Sequence, residues 1–455
     1  MLKKLLKYPK IALINTKNAD FFGYKLVLDQ EKIPYFIVDN IKTEFDAVIL
    51  PKENTLTITN IVEYLKGGGT VISSWDFLEH QKGFSSIINA GVSSFTPFGD
   101  GVIYYFNKNF GEEILRTKSY SSSVSRNIFS QWLIHSFGHT INNNNKRQDR
   151  TIFKNILYRL VGPLTQIGYW PDPYQACFCQ RIDADFPISK FYSKDKMITE
   201  MFKIVNEFDS VNFTIFLNHT FPKQIEKMKF LASSHNNVEF QSHGCDDKIK
   251  HKDYCYSLDL LTKEEIENML IGTVATKGYK IFAPPCEQVN ENVLQSCSDL
   301  NIKYISAGGL AKDDIPKKCF YKDKEYNIFN IPTSEKEFLD EPDANEAYYS
   351  NLFHNTVRDG SLFCIYFHPE LLLKPGPKKI ISKFLYYHVL EEKRTGKLWT
   401  PFMSELAEWW FMRDNTFLIN GNLVYKDERT ERFFLESNKK LSVIKWYPDH
   451  IKKVI

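Results

Sequence analysis

Apolar residues fall along this chain in short, nearly continuous runs separated by stretches with helical spacing. That is the pattern of buried parallel strands alternating with crossover helices. In the first hundred residues, 11–15, 34–39, 46–51 and 70–74 read as strands, and 20–30 and 58–66 as helices. Gly67-Gly68-Gly69 stops the second helix, because glycine enters the left-handed backbone without steric cost. This order predicts a small doubly wound parallel sheet. From 95 to 170 the pattern weakens. There 103–106 is a candidate strand, the Asn142-Asn143-Asn144-Asn145 run a loop, and 152–160 a helix leading to the rigid Trp170-Pro171-Asp172-Pro173.

The region 174–412 is the clearest. Strands are expected at 176–183, 211–218, 238–243, 279–284, 302–307, 327–332 and 361–367. Helical patterns lie between most of them, as at 262–273 and 289–300, and helices at 378–393 and 403–411 would close the side. Seven strands with intervening helices predict a closed or nearly closed barrel rather than an open sheet. The last forty residues, with Asn420-Gly421-Asn422 between β-rich runs, predict a hairpin-bearing appendage. The chain therefore divides into an α/β domain with its linker (1–150), a barrel (151–415) and a β-rich appendage (416–455), in line with the two or three domains expected of 455 residues.

Composition narrows the function classes. A formal net charge of +3 on a chain this long gives no basic face for nucleic acid. Aromatic residues reach 15%, a supply of flat faces that suits sugar binding but mostly fills cores. The eight cysteines include no Cys-x-x-Cys pair, and several fall in expected buried strands, so reduced thiols are expected. Lys7 and Lys10 interrupt any signal-peptide core and no run reaches membrane-spanning length, so a cytoplasmic location is expected. Lys3, Lys4, Lys7 and Lys10 leave open a weak peripheral contact with an anionic membrane, beside the plainer reading of a solvated end.

The candidate chemistry starts where the run from Ala176 ends in Asp183-Ala184-Asp185. Side chains on a strand alternate, so both carboxylates project to the same side. Their repulsion is relieved by a divalent metal or a shared proton. Later strands also end in polar groups: Ser242-His243 with Asp246-Asp247, Pro284-Pro285, and Phe367-His368-Pro369. Polar residues at strand C-termini are what an α/β barrel uses to build an active site. A metal-assisted hydrolase is the expectation. The plain alternatives are that the aspartates cap the helix near Lys194, and that His243 and His368 are ordinary hydrogen-bonded histidines.

Arg181-Ile182-Asp183-Ala184-Asp185, Ser242-His243-Gly244, Phe282-Ala283-Pro284-Pro285 and Tyr366-Phe367-His368-Pro369 occur in an order that resembles the polysaccharide deacetylases, carbohydrate esterase family four. The segment 399–410 resembles that family's closing segment, and the resemblance covers roughly 174–412. It implies a distorted (β/α)7 barrel and metal-dependent removal of acetyl groups, usually N-acetyl, from sugars. On this resemblance Asp185 and His243 match metal ligands, Asp183 the general base and His368 the acid that protonates the leaving amine. Where the family has a second histidine this chain has Asp247, so an Asp-His-Asp site for zinc, or for Mn, Fe or Co, is implied, with Asp246 and His251 as rival third ligands. Ala283 stands where the family's base-orienting arginine usually lies, which leaves the partner of Asp183 unidentified. Cys286 stands in place of a tyrosine whose backbone N–H serves the oxyanion, a role Cys286 can keep; as a nucleophile it lacks a paired base. Pro285 and Asn218, with His219 beside the latter, are expected to face substrate. The N-terminal sheet looks like the glutamine-amidotransferase-like or flavodoxin-like class. With no cysteine before Cys177 it lacks a thiol nucleophile, and no Lys-Ser or Lys-Thr follows its Gly triplet, so a structural or docking role is expected.

Two classes of function follow. One is a metal-dependent carbohydrate deacetylase acting on a sugar precursor or a lipid-linked or nucleotide-linked intermediate, which fits a cytoplasmic address better than a finished polymer. The other is a non-catalytic carbohydrate-binding protein on a degenerate barrel, motivated by Ala283, Cys286 and Asp247. A hydrolase of a non-sugar amide on the same barrel is a related enzyme alternative.

Overall fold

The computed structural model describes residues 9–52, 54, 56–74, 94–106, 109–115, 146–185, 193–244, 258, 261–287, 289–307, 315–321, 324–334, 345–373, 377–419, 422–437 and 439–446. Two sheets organise them. The first takes β1 (Ile11–Ile14), β2 (Phe36–Val38), β3 (Ala47–Leu50), β4 (Thr70–Ser74), β5 (Ser94–Phe98) and β6 (Gly101–Phe106) in the order β2-β1-β3-β4-β6-β5. All its pairings are parallel except β5 with β6, an antiparallel edge strand that the sequence pattern missed. β1, β3 and β4 are buried along their whole length, as strands covered on both faces must be. Helix Ala19–Glu31 begins where the Asn18 side chain accepts from the Phe21 N–H, and helix Ile58–Lys66 where Thr57 accepts from the Asn60 N–H.

Further along come β7 (Leu164–Ile167), β8 (Ala176–Ala184), β9 (Phe213–Leu217), β10 (Val238–Ser242), β11 (Ile281–Phe282), β12 (Tyr304–Ile305), β13 (Lys317–Tyr321), β14 (Lys324–Asn330), β15 (Leu362–Phe367) and β16 (Leu398–Trp399). Nine of these, all but β7, form one curled sheet in the order β13-β14-β12-β11-β10-β9-β8-β15, with β16 alongside the start of β8. The seven expected strands are all present and mutually parallel. The antiparallel β13 extends one edge, and among the described residues the sheet does not close by strand pairing. Ser334 bridges the gap instead. Its N–H donates to the Cys364 carbonyl at 2.7 Å, its hydroxyl donates to the Leu362 carbonyl at 3.0 Å, and the same oxygen accepts from the Cys364 N–H at 2.8 Å. A single serine thus supplies ladder partners to the open edge of β15.

The C-terminal part departs from the β-rich expectation. β17 (Thr416–Ile419) and β18 (Asn422–Tyr425) do form the hairpin, but helix Glu428–Glu436 follows, started by Asp427 accepting from the Thr430 N–H. The chain then returns as β19 (Val443–Trp446), antiparallel to β7. Among the described residues five cysteines are free and buried, and no helix is long and apolar enough to cross a membrane.

The two sheets are joined by polar contacts at the end of helix Ala19–Glu31. Arg413, buried in helix Met403–Asp414, donates to the carbonyls of Gln30, Ile167 and Gly168 at 2.8–2.9 Å. Glu31 is fully buried, 2.9 Å from Lys154 Nζ, and accepts from the Tyr169 hydroxyl at 2.5 Å. Lys32 donates to the Asp414 carbonyl at 2.6 Å. Removing one partner of a buried pair costs about 3–5 kcal/mol, because the other charge is stranded. Glu31→Gln should therefore lower the unfolding free energy by about that amount in urea titrations. Burial pushes the Glu31 carboxyl up, but Lys154 and Arg150 outweigh it and hold it below its ordinary 4.5. The contribution is complete above about pH 4.5 and is lost as pH falls below it, so the gap between wild type and variant should narrow there. A gap unchanged down to about pH 3 would refute this account of the junction.

Candidate functional site

β8 carries the first half of the site. Its alternation sends Arg181, Asp183 and Asp185 to one side, at the level where β9 and β15 also end. The aspartates do not cap the following helix. Ser193 does, accepting from the Lys196 N–H. Asp183 and Asp185 instead meet His243, from the end of β10, and His368, from the end of β15. His243 Nε2 lies 3.3 Å from Asp185 Oδ2 and 3.9 Å from Asp183 Oδ2, while His368 Nε2 is 3.8 Å from Asp185 Oδ2. The four residues form two layers. Asp183 and His243 are each 3% exposed, whereas Asp185 and His368 are 31% and 27% exposed at the mouth.

The partner of Asp183 is Arg181, two residues earlier on the same strand. Its Nε donates to Oδ1 at 2.6 Å and its Nη2 to Oδ2 at 2.5 Å, a two-pronged fork. Nη1 donates to the Ser306 carbonyl at 2.6 Å and sits 3.6 Å from Glu287 Oε1. The guanidinium lies over the rings of Phe216 and Tyr366, 5.5 and 5.3 Å from their centroids. This resolves the question raised by Ala283. The cation enters from the first barrel strand, and the rule that residues i and i+2 share a face was the signal for it. Glu287 and Ser306 carried no such signal, since their approach depends on how the sheet curls.

His243 is held for one tautomer. Its Nδ1 is 3.0 Å from the Ala283 carbonyl, a bond that only an N–H can make, so Nε2 faces the carboxylates. Burial pushes its imidazole down, but Asp183 and Asp185 outweigh that and raise it above the ordinary value. Burial likewise raises Asp183, against which Arg181 first and His243 next hold the carboxyl below its usual range. Asp185 is lowered against burial by His243, His368 and a bond from Asn218 Nδ2 at 2.5 Å. Asn218 is itself fixed by accepting from the N–H and hydroxyl of Thr220.

Of the other expected site residues, Pro285 is buried and opens the 3-10 turn Pro285–Glu287, which contains Cys286, whose side chain lies outside the described residues. Asp246, Asp247 and His251 also lie outside them. The His219 ring lies against Tyr279, with ring centroids 5.9 Å apart. Among the described residues no three His, Cys, Asp or Glu side chains gather as a complete metal-binding group.

Two donors do fit one. Ligands about 2.0–2.1 Å from a tetrahedral ion lie about 3.3 Å from each other, and Asp185 Oδ2 and His243 Nε2 are 3.3 Å apart. Charge agrees. Asp183, Asp185 and Glu287 bring three formal negative charges against the permanent positive charge of Arg181, an excess that favours a cation beside them.

No family model matches the chain, and no curated protein is similar to it. Among solved structures the chain is similar to one named for a polysaccharide deacetylase of Mycobacterium smegmatis, at 16% identity and a TM-score of 0.39 over 53% of this chain and 91% of that one. It is similar to the Puue allantoinase at 15% identity and a TM-score of 0.39, over 53% and 92% of the two chains. A family 4 acetyl xylan esterase of Clostridium thermocellum, in complex with a cobalt ion, matches at 13% identity and a TM-score of 0.30, over 51% and 91%.

Proposed function

We propose that the protein is a metal-dependent hydrolase that removes acetyl groups, chiefly N-acetyl, from a carbohydrate or glycan precursor. The observation that carries this reading is the convergence of Asp183, Asp185, His243 and His368 at the C-terminal strand ends, with one carboxylate locked by an arginine and the other left facing a histidine nitrogen. Asp185 and His243 hold the ion, zinc or one of Mn, Fe and Co, and Asp247 is the third ligand ahead of Asp246 and His251. When bound, the ion supplies Lewis-acid polarisation of the acetyl carbonyl and a more acidic water. Asp183, kept ionised and oriented by Arg181, takes the proton as water attacks the carbonyl. His368, at the exposed mouth, gives a proton to the departing amine, and a free amine and acetate result. The backbone N–H of Cys286 is assigned to the oxyanion. Asn218 orients Asp185, and Pro285 contributes to the substrate-facing wall.

Purified protein is expected to bind one divalent ion per chain, and Asp185→Ala or His243→Ala to lose it, as read by metal analysis after dialysis. If Asp247→Ala kept full stoichiometry and affinity while Asp246→Ala or His251→Ala lost them, the choice of third ligand would be wrong.

Asp183→Asn should keep the metal and the fold, yet lower acetate release from N-acetylated sugars at least about 10²-fold. His368→Ala should also spare metal occupancy and cut amide turnover, with a smaller effect on activated acetyl esters, whose leaving group needs no proton. Equal loss on both substrate types would count against its role as the acid. A wild-type protein that held metal but released no acetate from a broad panel would favour the carbohydrate-binding reading.

A further inference from the structure

We infer that Arg181 is a positioning residue that keeps both oxygens of Asp183 off the metal, and that Glu287 and the Ser306 carbonyl position Arg181 in turn. The inference rests on the metal-hydrolase reading above. Asp183 and Asp185 leave the same face of one strand, so a cation drawn to one carboxylate would recruit the other as a ligand unless something competed for it. The competitor is in place. Both Asp183 oxygens are engaged by the guanidinium fork at 2.5–2.6 Å, and the carboxylate stands 3.9 Å from His243 Nε2, against 3.3 Å for Asp185.

Arg181 is itself prevented from swinging. It is 1% exposed, lies over Phe216 and Tyr366, and spends Nη1 on the Ser306 carbonyl with Glu287 behind it. Glu287 reaches that place at a cost. Its φ is 57°, a left-handed backbone that a glutamate adopts unwillingly, and its side chain is only 8% exposed. In that position its carboxylate is 3.6 Å from the buried guanidinium and gives it a second negative charge.

The test is a double-mutant cycle read by Co2+ binding, using equilibrium dialysis and the visible spectrum of the bound ion, with circular dichroism and unfolding midpoints as fold controls. In the wild-type background Asp183→Asn should leave the visible spectrum of bound Co2+ unchanged, because Asp183 contributes no donor atom to the ion. In Arg181→Gln the freed carboxylate joins the ion, so adding Asp183→Asn there should weaken Co2+ binding about tenfold or more and restore the wild-type spectrum. Glu287→Gln, which loosens the arginine without removing it, should show the same coupling at a smaller size. It carries the test if Arg181→Gln does not fold. Equal factors for Asp183→Asn in all backgrounds, or a Co2+ spectrum already altered by Asp183→Asn in the wild type, would overturn the proposal while leaving the hydrolase reading standing. A wild-type chain that takes up no Co2+ overturns both.

Discussion

A guanidinium buried inside a curled sheet is the constraint around which this site is arranged. Taking a charge out of water costs several kcal/mol even after relaxation, so Arg181 is tolerated only because hydrogen-bond acceptors and negative charge surround it. Asp183 takes two of them, the Ser306 carbonyl a third, and Glu287 lies beside it. Those groups come from β8, from the residue after β12, and from the turn after β11, while the flanking rings come from β9 and β15. One side chain therefore ties together strands that share no single ladder. It makes the curl of the sheet, and not only the identity of its residues, a condition for the site.

The junction between the two sheets obeys the same rule at a second place. The last carbonyls of helix Ala19–Glu31 lack partners within the helix and carry its negative end. Arg413 and Lys32 bring positive charge to that end, and Glu31 pairs with Lys154 under the Tyr169 hydroxyl. The N-terminal sheet is thus fastened to the barrel by groups too deeply buried to be left alone.

What the sequence made legible follows from how local each signal was. Strands such as 11–14 and 362–367 are buried on both sides, so their apolar runs are continuous and easily read. Asp183, Asp185, His243 and His368 were legible because each sits at the end of such a run. The Arg181 fork was within reach of the same alternation rule, but a lone arginine in an apolar strand carries no mark of its partner. Glu287 was not legible, since its left-handed turn and its distance from Arg181 arise only when β11 and β8 curl toward each other. Helix Glu428–Glu436 was hidden by the hairpin beside it, although Asp427 is an ordinary helix-starting residue. β13 escaped because an antiparallel edge strand leaves no alternation with helices to betray it.

The depth of the two carboxylates finally argues for how their roles divide. In the role proposed for Asp183 a proton acceptor has to be fixed toward the attacking water, and fixing it lowers its basicity. The fork that orients Asp183 also holds its carboxyl below the usual range, so it binds a proton less eagerly. Positioning repays that loss, since a correctly held reactant can recover several kcal/mol of barrier that a freely moving one cannot. Asp185 meets the opposite requirement. About a third exposed and bonded by Asn218 on one side, it keeps an oxygen turned toward His243, whose own outward nitrogen is set by the Ala283 carbonyl. His368 stands at the more exposed mouth of the cluster, 3.8 Å from Asp185. In the proposed reading the ligand pair of Asp185 and His243 spans the two layers, with the base Asp183 in the deep layer and the acid His368 at the mouth, and each role depends on a neighbour that can be removed by itself.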